Sequence, residues 1–372
     1  MPNFSLTDER ALLRKSVRDF VERECPLAEA RRIDEAGGFS AELWQKMAGL
    51  GWAGILIPTE RGGGGGSLTD AAVLYEEMGR GILPGPHHSS AVLGALLVLR
   101  AGRNEQQQRY LPAVARGELA LGLAITEEQY GWSPEHIRMT ARESSGAFIL
   151  DGTKRFVPDA GSADELIVVA RAEDATSLFL VPRDAKGVAL QRMEGFVGEP
   201  LFDVTFEGVE VAADRVVGAR GAAWDTLTPV LDSATALLCA YVAGAMRRVY
   251  EFTLAYAQQR VQFGQPIARF QRVQDHLIEM LNHADAARWT AYEAIWKLEH
   301  GKPDAQATVS VAKAVASEGF YQLCESAHHV HGGIGSDRAY GLYLYTKKSR
   351  SFYHYLGDPA FHRRRLARLL DL

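Results

Sequence analysis

The chain is expected to be mainly α-helical, with a central antiparallel β domain. Two observations predict this. Apolar residues recur at helical spacing in residues 1–120 and 223–372, while residues 121–222 hold short β-prone runs separated by Gly, Asp and Pro. The length points the same way. At 372 residues the chain exceeds the roughly 250–300 at which a single core stops growing. Three domains with those boundaries are therefore expected.

The first helix opens with Ser5 as cap and Asp8 as first-turn acid, and carries Leu13, Val17, Phe20 and Val21 on one face. Pro26 ends or kinks it. Further helices are expected over 40–50, 69–79, 88–101 and 105–116, with Gly62 to Gly66, Pro84 and Pro86 in the loops. Strands are expected over 121–126, 148–150, 165–170, 177–181, 187–192 and 201–211. Thr226 is placed as the cap of a long helix, with Pro229 in its first turn and its end near Gln259. Helices over 270–299, 304–329, 341–355 and 362–370 complete the chain.

Bulk properties exclude several classes. Hydrophobic residues make up 47% and charged residues 23%, which disfavours disorder. A net charge of −5 without any charge block argues against nucleic acid as the main partner. Cys25, Cys239 and Cys324 are odd in number and widely spaced, so neither a disulfide framework nor a zinc site is suggested. The first residues lack an apolar signal core, and no run of about 18–20 apolar residues suggests a membrane span. A cytoplasmic protein is expected.

Five motifs bear on function. Gly62 to Gly66 lacks the flanking residues of a phosphate-binding loop and reads as a floppy surface turn. His328 and His331 share a helix face that His329 does not, so a structural or cofactor-edge role is favoured over a metal. The run His331-Gly332-Gly333-Ile334-Gly335 is a helix cap, a place where phosphates approach bare backbone, or both. Arg260 and Phe263-Gly264 read as a helix-end cation and a core anchor, or as a phosphate partner beside an aromatic that flanks a base. His362-Arg363-Arg364-Arg365 reads as a solvated helix face.

Arg260-x-x-Phe263-Gly264 followed by Phe270-Gln271 and Gln274, then Gly332-Gly333-Ile334-Gly335 and Tyr355-x-Gly357, resembles the acyl-CoA dehydrogenase family over nearly the whole chain. The resemblance implies a helical domain, a β-barrel-like domain and a C-terminal four-helix bundle, assembled as dimers or tetramers. It implies FAD between subunits. Arg260 and Phe263 would hold the pyrophosphate and adenine side of a cofactor belonging mainly to the neighbour, and His329, Gly332 and Gly333 would line the same segment. Thr126 and Phe156 would border the flavin, although Thr126-Glu127-Glu128 and Phe156-Val157-Pro158 depart from the family's Thr-Glu-Pro and Trp-Ile-Thr. Pro158 lacks both donors that threonine would offer.

The implied reaction is α,β-dehydrogenation of an acyl-CoA in fatty acid or steroid catabolism, with electron transfer flavoprotein as a possible oxidant. The family's catalytic glutamate is missing at both of its usual positions, here Leu356 and Ala234. Asp358 is acidic and nearby, but aligns with a threonine and is placed to cap a helix before Pro359. The pattern resembles the base-less small subunits of heteromeric acyl-CoA dehydrogenases. Two readings stay open: an enzyme with another base, or a non-catalytic subunit that completes a partner's FAD site.

Overall fold

The computed structural model describes residues 6–173, 175–196 and 198–372. The first helix, α1 (Asp8–Glu24), is capped by Thr7, whose side chain accepts from the Arg10 amide. Ser5 lies outside the described residues. Val17, Phe20 and Val21 are buried. Pro26 caps the next helix, α2 (Leu27–Glu35), and Ser40 caps α3 (Ala41–Gly49). A reciprocal Ser67–Asp70 capping box opens α4 (Leu68–Arg80). The next helical stretch divides into a π-helical segment, His87–Gly94, and α5 (Ala95–Ala101); α6 (Asn104–Ala115) follows.

The glycine run is not floppy. The amides of Gly63, Gly64, Gly65 and Gly66 donate to the carbonyls of Pro58, Gly54, Ile57 and Ile55. A Cβ on Gly63 would lie 2.1 Å from the Ile57 carbonyl oxygen. These amides are satisfied internally, so they form no phosphate cradle, and glycine is needed for close backbone approach.

The sheet comprises β1 (Leu121–Ala124), β2 (Thr140–Ser144), β3 (Ala147–Pro158), β4 (Glu165–Ala172), β5 (Ala175–Pro182), β6 (Val188–Arg192), β7 (Leu201–Ala212) and β8 (Val216–Val217). Its order is β6-β7-β3-β2-β4-β5-β8, with β1 beside β4. Most pairs are antiparallel, but β1 runs parallel to β4, and β2 touches β4 in parallel at Thr140 and Arg171. The sheet is therefore mixed. Strand β2 has no apolar alternation, only a buried Ala141 among exposed neighbours, which is why its sequence gives no strand signal.

After the sheet comes α7 (Ala223–Gln259). It starts upstream of Thr226, so Thr226 is not its cap and Pro229 lies beyond the first turn. Burial of Ala223 and Leu227 extends the helix against local propensity. A hairpin, β9 (Val261–Gln262) with β10 (Gln265–Pro266), leads to α8 (Gln271–Glu299), α9 (Ala305–His331), α10 (Leu342–His354) and α11 (Pro359–Leu369). Helices α7, α8 and α9 pack along one another, and α10 and α11 close on α9. By length and apolarity α7 could cross a membrane, but 83% of its most apolar window is buried inside the protein.

Helices α4 and α7 cross at two reciprocal glycines. A Cβ on Gly79 would lie 1.8 Å from the Tyr241 carbonyl oxygen, and one on Gly244 would lie 1.7 Å from that of Glu76. Neither backbone can yield without moving a helix. Gly244→Ala is expected to destabilise the fold by about 3 kcal/mol or more through overpacking. Gly333→Ala, with nothing within 4 Å of the new carbon, is expected to leave stability nearly unchanged. Denaturant unfolding of the two variants checks this, and equal midpoints would refute the crossing.

Candidate functional site

Three chain segments meet at one end of the bundle. The hairpin joins the end of α7 to the start of α8, and α9 returns to finish beside them. Tyr256 of α7 stacks on His331 of α9 at 4.4 Å, and His276 of α8 stacks on His329 at 5.4 Å with ring planes 11° apart. The hairpin turns through Phe263 (φ +50°) and Gly264 (φ +76°), the two left-handed residues of a type I′ turn. Phenylalanine there is strained by roughly 1–2 kcal/mol. It is also 93% exposed, so it is not a core anchor. Arg260 is exposed and has no acidic partner among the described residues.

The three histidines at the end of α9 diverge. His331 is buried between the hydroxyls of Thr253 (3.2 Å) and Tyr340 (3.1 Å), and burial pushes it down to about 4, leaving the ring neutral. His328 bonds to Thr346 at 2.7 Å, and His329 is exposed. Gly332 adopts φ +62°, ψ −143°, a conformation kept almost for glycine alone. A Cβ on Gly332 or Gly333 would meet nothing within 4 Å, so the corner faces open space. Arg260, Phe263, His329, Gly332 and Gly333 thus present an unpaired cation, an exposed ring and bare backbone at one end of the bundle. That set suits the diphosphate and base of a dinucleotide.

Thr126 and Phe156 sit elsewhere, in the β layer. The Thr126 hydroxyl donates to the Arg155 carbonyl at 2.5 Å, and the Arg155 amide donates back to the Thr126 carbonyl at 2.8 Å. Beneath them a buried pair fixes the turn. Lys154 Nζ lies 2.6 Å from Glu127, whose carboxylate also accepts from the Arg138 and Met139 amides. Phe156 (φ +55°) falls where the β3–β7 register slips between Lys154 and Val157. Its ring meets Tyr130 edge-on at 5.1 Å, Tyr130 meets Trp132, and Trp132 meets Tyr355 at 5.7 Å. Among the described residues no hydrogen bond, ion pair or ring contact joins this set to the hairpin set.

Tyr355 begins the turn between α10 and α11. Lys313 holds it from below, donating to the carbonyls of Phe352 (2.9 Å) and Gly357 (2.8 Å). Leu356 is 3% exposed, adopts φ +59°, and its amide has no acceptor among the described residues. Ala234 is buried in α7. Asp358 caps α11, accepting from the Phe361 amide at 2.7 Å. Arg365 of the basic run pairs with buried Asp232, so that run is not wholly a solvated face.

Two cavities flank the turn. One, of about 150 Å³, is lined by Trp132, Trp224, Asp232, Leu356 and His362, with both indole N–H groups and His362 Nδ1 unpaired. The other, of about 50 Å³, is lined by Tyr75, His87, His88, Ser89, Asp159 and Tyr355. Burial pushes the Asp159 carboxyl up to about 7, against the opposing pull of its 2.7 Å bond from Ser89. Sequence reasoning missed Asp159, although an acid directly after Phe156-Val157-Pro158 was a usable signal. Nothing local singles out Tyr75 or His87.

Family models match the chain along its length: the acyl-CoA dehydrogenase N-terminal domain over residues 7–118, the middle domain over 122–209 and the C-terminal domain over 221–370. The chain belongs to the acyl-CoA dehydrogenase family. It is 33% identical to the 3-(aryl)acrylate reductase of Clostridium sporogenes, over 90% of this chain and 91% of that protein. Among solved structures, PigA with FAD and proline is 25% identical with a TM-score of 0.93, covering 100% of both chains. A chain of the ChsE4–ChsE5 complex from Mycobacterium tuberculosis is 26% identical with a TM-score of 0.91, covering 100% of this chain and 99% of that one.

Burial pulls the Lys313 ammonium down to about 7, from about 10.4 in an unfolded chain. Between those values the unfolded chain binds the extra proton, so this residue makes stability rise with pH. From pH 7 to 9 the rise is expected to be about 2 kcal/mol. Lys313→Met should flatten it. Urea unfolding at both pH values measures the slope, and the same slope in the variant would assign it to other groups.

Proposed function

We propose that this chain works in FAD-dependent α,β-dehydrogenation of an acyl-CoA thioester, as part of a homo- or hetero-oligomer. The observation that carries this reading is the strained, 93% exposed Phe263 beside unpaired Arg260 and the open Gly332–Gly333 corner. An exposed aromatic held at an energetic cost calls for something to cover it. Arg260 would pair with the pyrophosphate, Phe263 would flank the adenine, and His329 with the glycines would line the segment between, on a cofactor shared with a neighbouring subunit. Thr126 and Phe156 would border the ring. When bound, FAD supplies hydride acceptance from the carbon β to the thioester carbonyl. The chain's own part there is polar: the free Leu356 amide is a donor for the carbonyl oxygen as negative charge grows on it. Electron transfer flavoprotein is the acceptor on this reading, and the cytoplasm the compartment.

One observation favours a second reading. Leu356 and Ala234 stand at both positions of the family's base, and Asp358 is engaged as a cap. In that reading the chain is a non-catalytic subunit completing the FAD site of a glutamate-bearing partner. Anaerobic addition of acyl-CoAs to the purified chain separates the two. Bleaching of bound flavin supports turnover by this chain. A colourless protein that gains flavin and activity only with a glutamate-bearing homologue supports the second. In either case Arg260→Ala is expected to weaken FAD binding about 10–100-fold, the loss of one charge-assisted phosphate contact. Unchanged FAD affinity in Arg260→Ala would sink the cofactor assignment.

A further inference from the structure

We infer that the cavity beside Tyr355 is a recognition pocket for the far end of a short acyl group that carries an N–H or O–H donor. The inference rests on the acyl-thioester reading and adds its substrate class. Four polar atoms of the lining residues are buried without partners among the described residues: Tyr75 Oη, His87 Nδ1, and both ring nitrogens of His88. Tyr75 is 2% exposed and His87 4%. His88 keeps some surface towards the cavity, yet its nitrogens are closed off from bulk water. So many unsatisfied groups around one void are rare in a folded protein and call for a polar guest.

The charge balance says which polar guest. Burial pulls His87 and His88 down to about 3, so both rings are neutral. Lys348 is paired with Glu199, and the two cancel. Asp159 is the remaining acid of the lining: among the described residues it forms no ion pair, it accepts from the Ser89 hydroxyl, and it is held in a left-handed conformation at φ +56°. Burial pushes its carboxyl up to about 7, and a guest bearing an N–H or O–H donor favours the ionised form that burial opposes. An alkyl guest would displace any resident water and leave the same groups unpaired.

Size and place agree. About 50 Å³ accommodates a small functional group, given that a cavity of about 10–15 Å³ already holds one water. The pocket is walled by Pro158 and Tyr355, which belong to the two segments that flank the reacting end of the thioester on the reading above. His87, His88 and Ser89 come from the π-helical segment His87–Gly94, a helix form concentrated at functional sites.

The test is anaerobic titration calorimetry of the purified oligomer with three thioesters of matched size: 3-aminopropanoyl-CoA, 3-hydroxypropanoyl-CoA and butanoyl-CoA. At least one polar thioester is expected to bind 10-fold or more tightly than butanoyl-CoA. That preference should fall to within about 3-fold in Asp159→Asn. Should Asp159→Asn not fold, Tyr75→Phe, which removes only a hydroxyl, is expected to reduce the preference. Butanoyl-CoA binding as tightly as both polar thioesters overturns the inference and leaves the thioester reading intact. Binding of none of the three overturns the thioester reading and this inference with it.

Discussion

Helices α4 and α7 touch backbone to backbone, and much of the remaining architecture is set by that contact. Side chains cannot intervene where Gly79 lies over the Tyr241 carbonyl and Gly244 over that of Glu76. The close approach brings an N-terminal helix into the C-terminal bundle. It forces the charged residues of α4 into the protein, where they need partners. Glu76 takes Arg14 and Arg288 at 2.9 Å each and Tyr292 at 2.5 Å, and Glu77 takes Arg18. Removing one partner from such a group costs more than the pair contributes. The crossing also sets Tyr75 and Tyr241 on opposite sides of one small cavity. Packing and site geometry therefore share a cause.

A second constraint is backbone strain, concentrated where chemistry is expected. Tyr130, Phe156, Asp159, Phe263 and Leu356 all hold positive φ without being glycine. Each conformation costs of order 1–3 kcal/mol and persists only because its surroundings over-determine it. Those surroundings are identifiable. The Lys154–Glu127 pair pins the turn behind Thr126, Lys313 pins the turn at Leu356, and the hairpin pairing pins Phe263. Buried lysines here bind carbonyls and carboxylates of the loops that carry the site, so their desolvation is tied to its shape.

Legibility from sequence followed the range of the interactions. The long helices and the strands β4, β5 and β7 were readable because burial repeats along one segment. Strand β2 was not, since its register comes from β3 and its residues face outward. The glycine run was misread as loose because what it packs against, Ile55 and Ile57, is set by tertiary folding. At the site, the motif residues Arg260, Phe263, His329, Gly332 and Gly333 could be named from their order, and their convergence at one bundle end follows from antiparallel helices. That Phe263 is solvent-facing could not be read, because an aromatic in an apolar context looks like core. The unpaired atoms of Tyr75, His87 and His88 were invisible for a stronger reason. An unsatisfied group is defined by everything that fails to reach it, and no local pattern records that.

The two halves of the site then differ in a way that one physical argument covers. The hairpin and diglycine corner remain exposed, as a surface must if it serves a cofactor held mainly by another subunit. The set around Phe156 is instead packed within the chain: Tyr130 lies against Phe156, Trp132 against Tyr355, and Leu356 is buried beside Trp132. A glutamate in that setting needs a partner or a raised pKa, whereas leucine needs only apolar contact. The cavity on the other side of Tyr355 is lined differently. It holds an acid, three donor-bearing side chains and a π-helical segment, none of which apolar packing would favour. Buried polar groups without partners cost stability, and on the proposed reading a bound guest would supply the partners that these lack.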